Sequence, residues 1–77
     1  MARLDWKEVM TKHKEAIAAV ATKNDVDMGV GLDMLIAMTR REGAEKDYAI
    51  KEYGPVPEMD VAVFLEDVNE VYRKANS

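Results

Sequence analysis

The stretch DWKEVMTKHKEAIAAVATK, residues 5–23, decides the fold class. At about 100° per residue, Trp6, Val9, Met10, His13, Ala16, Ile17, Val20 and Ala21 fall on one stripe. Lys7, Glu8, Thr11, Lys12, Lys14, Glu15, Thr22 and Lys23 cover the remainder. A helix with one oily and one wet side must bury the oily side against other elements. Asp5 is the candidate N-cap, and Glu8 three residues on completes a capping-box pattern.

Working outward, Asn24-Asp25-Val26-Asp27 interrupts the period with cap-prone residues. A second helix is predicted to start at Asp25 or Asp27, or as late as Gly31, and to run to about Glu42. Gly29 and Gly31 each cost a helix interior up to about 1 kcal/mol. Met28, Leu32, Leu35, Ile36 and Thr39 form its main stripe, and Met34 and Met38 widen it. Asp33 and Arg40, seven apart, mark the only consistently wet line, which points to a central helix or one covered by a partner. Gly43 suits a left-handed stop.

Residues 44–53 favour a short, partly exposed helix, because Tyr48, Ile50 and Tyr53 make no tight stripe. After Gly54, Pro55-Val56-Pro57 forms a stiff corner. A last helix is predicted from near Pro57 to near Ala75, with Val61, Phe64, Leu65, Val68, Val71, Tyr72 and Ala75 as its apolar side. The expected architecture is therefore an all-α, compact helical bundle of three main amphipathic helices plus a short fourth, and 77 residues suffice for one domain.

Composition narrows the function classes. The chain has no cysteine, so disulfides and thiolate metal clusters are excluded, and the expected setting is reducing and cytoplasmic. The apolar runs at 16–21 and 34–38 fall far short of the roughly 18 residues that span a bilayer. Charges among the first eight residues disfavour a secretion signal. A net charge of −4 disfavours nucleic acid, whose phosphates demand Lys and Arg. The charge is uneven: residues 1–24 carry net +2 and residues 55–77 net −3, so the first and last helices would attract as neighbours.

No catalytic constellation emerges. His13 is the only histidine and sits mid-stripe with no nucleophile at helical spacing. It reads as an edge-of-core imidazole bonded to a backbone carbonyl or to Tyr48, Tyr53 or Tyr72. The acids at Asp25, Asp27 and Asp33 fail the calcium-loop spacing in either register, and capping explains Asp25 and Asp27 better. Gly29-Val30-Gly31 lacks the third glycine and the lysine of a phosphate loop. Arg40-Arg41 could grip an anion but also suit the last turn of a helix. A helix-turn-helix around Gly43 would lack a basic recognition helix. No metal or cofactor is expected.

Two features point to a protein partner. Met59 and Val63, four apart, lie off the apolar side of the last helix, ringed by Glu66, Asp67 and Glu70. Met34 and Met38 offer adaptable apolar surface, although core filling explains them as well. The leading expectation is a non-enzymatic adaptor, inhibitor or antitoxin-like module that engages a basic protein surface. The alternatives are a homo-oligomeric assembly protein that buries the surplus of the second helix, and a small DNA- or ligand-binding module using Arg40 and Arg41.

Overall fold

A computed structural model describes residues 5–76, which form five helices and no strand. They are α1 (Trp6–Lys12), α2 (Lys14–Asn24), α3 (Met28–Arg40), α4 (Gly43–Tyr53) and α5 (Val61–Ala75). The architecture is all-α, as the periodicity predicts. Among the described residues no helix is long and apolar enough to cross a membrane.

Three aspartates start helices. Asp5 Oδ1 accepts from the Glu8 N–H at 2.9 Å, Asp27 Oδ1 from Val30 N–H at 2.9 Å, and Asp60 Oδ1 from Val63 N–H at 3.2 Å. Each satisfies an amide that lacks an intrahelical acceptor. Asp60 moves the start of the last helix to Val61, four residues beyond the expected Pro57. Asp25 is no N-cap; it closes α2 in a left-handed conformation, φ 54°.

The predicted first helix is in fact two, broken at His13 (φ −111°, ψ 28°). Backbone bonds from His13 N to Val9 O (3.0 Å) and from Ile17 N to His13 O (3.1 Å) flank the break. The cause is tertiary: α1 packs mainly on α5 and α2 on α3, and one straight cylinder cannot lie against both. The stripe read from residues 6–21 nonetheless holds. All eight of its members are buried or half-buried, and all eight wet-side residues are exposed.

Helix α3 touches α2, α4 and α5, which accounts for its wide apolar surface. It approaches α2 so closely that a Cβ on Gly31 would lie 2.7 Å from Ala21 Cβ, so the glycine is a packing requirement. The helix ends at Arg40, short of the expected Glu42; Arg41 and Glu42 are extended. Gly43 has the anticipated positive φ (+60°) but opens α4 rather than stopping α3. Gly54, at φ +106°, turns the chain towards the proline corner, with the Lys23 stem packed where a side chain would sit.

The core draws on every helix: Val9, Ile17, Val20, Leu32, Leu35, Met38, Ala49, Phe64, Val68 and Val71. The Cα radius of gyration, 12.2 Å, is close to the ~11.5 Å expected of a compact chain this long.

Candidate functional site

The kink at His13 delivers its ring to α5. Its Nε2 lies 2.7 Å from Asp67 Oδ2, and its edge meets Phe64 at a centroid distance of 5.1 Å. An ionised carboxylate can only accept, so Nε2 carries the hydrogen. Lys12 Nζ reaches the same oxygen at 3.0 Å. Burial opposes ionisation of Asp67, but hydrogen bonds from His13 and Lys12, together with the attraction of their charge, hold it below the ordinary carboxylate value. Asp67 is therefore a buried anion paired by two donors, not a rim residue. The expected partners of His13, a backbone carbonyl or a tyrosine, are replaced by this carboxylate.

An imidazole oriented by a carboxylate is the base half of a hydrolytic triad. The third member is missing from the described residues: the nearby Thr11 hydroxyl donates to Lys7 O at 3.0 Å. Nor do three His, Cys, Asp or Glu side chains of the described residues cluster as a metal would require. The Lys12–His13–Asp67 group joins the α1–α2 kink to α5.

The other predicted site residues separate accordingly. Met38 is fully buried and Met34 half-buried, so the methionine surface of α3 is largely core. Met59 packs against the core from the segment before α5. Val63, by contrast, is 37% exposed, and Glu66 one turn on is exposed with no hydrogen bond or ion pair among the described residues. Glu70 continues that flank, 3.6 Å from both Arg73 and Lys74. Of the acidic row, Glu66 and Glu70 face outward and Asp67 does not.

A second surface lies along α3. Asp33, Ile36, Ala37 and Arg40 form one wall of an open groove of about 710 Å³, bounded also by Arg41, Glu42, Glu45 and Tyr72. The Arg40 guanidinium rests 4.4 Å above the Tyr72 ring, and Trp6 meets the same ring edge-on at 5.3 Å. Three carboxylates share the groove with two guanidiniums, a balance that disfavours phosphate. Comparison with protein-family models, curated proteins and solved structures finds no match.

Sequence reasoning missed the Asp67 pairing although a signal existed. Asp67 lies three residues after Phe64 and four before Val71, on the edge of their stripe. The buried arc of α5 is turned towards it, leaving Leu65 and Tyr72 half-exposed.

Proposed function

We propose that the chain is a non-enzymatic protein-binding module that presents the outer flank of α5 to a basic protein surface. The observation that carries this reading is the exposed Val63 beside the unpaired carboxylate of Glu66. An apolar centre with a charged rim has the anatomy of a small docking patch. Glu70 extends the rim, and Met59 packs on the core in the segment that precedes α5.

Asp67 contributes no charge to such a surface, so the informative variant leaves it alone. The double substitution Glu66→Lys/Glu70→Lys, used as immobilised bait in host extract, should lose the proteins that the unaltered chain retains. Its far-ultraviolet dichroism should not change, because neither side chain belongs to the core. Equal retention by both baits would remove this flank from consideration.

A further inference from the structure

We infer that the outer face of α3 is a self-complementary surface that pairs two copies of this chain antiparallel. This inference is independent of the α5 reading, because it uses a different helix and opposite chemistry. Along the exposed line of α3, only Asp33 and Arg40 carry charge, and they are seven residues apart, two turns on one stripe. Among the described residues Asp33 has no hydrogen bond or ion pair, and the partner of the Arg40 guanidinium is the face of Tyr72, which leaves its N–H donors open. Between them lie Ile36 and Ala37, half-buried and uncharged, and one turn before Asp33 is Val30, 40% exposed.

Opposite charges at the two ends of an apolar centre fit an isologous two-fold contact, in which the same patch serves both copies. With the axis between Ile36 and Ala37, Asp33 of each copy faces Arg40 of the other, giving two ion pairs around an apolar centre. A parallel arrangement would instead set like charges level with each other. The concave wall beside this face, in the groove of about 710 Å³, gives the opposing side chains room to seat. A second copy is therefore the occupant whose charge pattern this face matches.

Sedimentation of the full chain up to millimolar concentration tests the pairing through charge reversal. The unaltered chain should form a dimer. Asp33→Arg alone and Arg40→Asp alone should each weaken it at least ~10-fold, since each sets like charges together twice. An equimolar mixture of the two variants should restore the dimer, because each then supplies the charge that the other needs. Circular dichroism of each variant confirms folding, and dilution of the unaltered chain should shift the Ile36 and Ala37 amide resonances without any substitution. A chain that stays monomeric, single reversals without effect, a mixture no tighter than its components, or dilution shifts confined to another helix would each overturn the pairing.

Discussion

Gly31 and Gly29 look alike in the sequence, two helix-weakening residues two apart, yet their surroundings differ. A methyl group on Gly31 would meet Ala21 Cβ at 2.7 Å and the Ile17 carbonyl oxygen at 3.1 Å, both held by the α2 backbone. Overpacking of that kind costs about 1–3 kcal/mol, more than the up to ~1 kcal/mol that helix propensity returns. On Gly29 the same methyl would touch only Asp27 Oδ1, at 3.4 Å. Gly31→Ala should therefore lower the melting temperature and Gly29→Ala raise it, by roughly 4–8 °C per kcal/mol in a domain this small. Midpoints moving in the same direction would contradict the close α2–α3 contact.

Between elements, polar side chains make connections that no periodicity announces. Asn24 Nδ2 donates to Val20 O at 2.9 Å in its own helix and to Tyr53 O at 3.0 Å, latching the end of α2 to the end of α4. The Tyr53 carbonyl belongs to a last helical turn, where acceptors lack intrahelical donors. Asn24→Ala should cost about 1–2 kcal/mol, read as a lower urea midpoint at unchanged slope. An unshifted midpoint would mean that water replaces the amide at no loss. In the sequence Asn24 reads only as a breaker of the first helical period, because its second acceptor is 29 residues away.

At the level of the whole molecule, an uncross-linked chain of 77 residues has a thin margin, so one buried ionic group weighs on its acid stability. The folded pKa of Asp67 lies below its ordinary value of 3.8, so the folded state binds this proton less readily than the unfolded chain. Its contribution is complete above 3.8 and is lost as pH falls through the lower folded value. Asp67→Asn should cost about 1–3 kcal/mol at neutral pH, where the Asp67 carboxylate is ionised. Below 3.8 the two denaturation curves should converge. A difference that persists undiminished in strong acid would show that the pairing with Lys12 and His13 is not what Asp67 supplies. The same group realises the attraction anticipated between the basic first third and the acidic last third, through one buried contact rather than a field of surface pairs.

What the sequence determined alone was the helical class and which side of residues 6–23 meets water. Both follow from a 3.6-residue period and from capping aspartates, which act within a few residues of chain. Residues 6–21 show this most fully, since every residue assigned there to the wet or oily side lies where the period puts it. The tertiary structure decided the rest: the kink at His13, the burial of Asp67 and Met38, and the outward flank left to Val63 and Glu66. Those outcomes depend on which helix crosses which and at what distance. Contacts between residues as far apart as His13 and Asp67 leave no periodic trace in the chain.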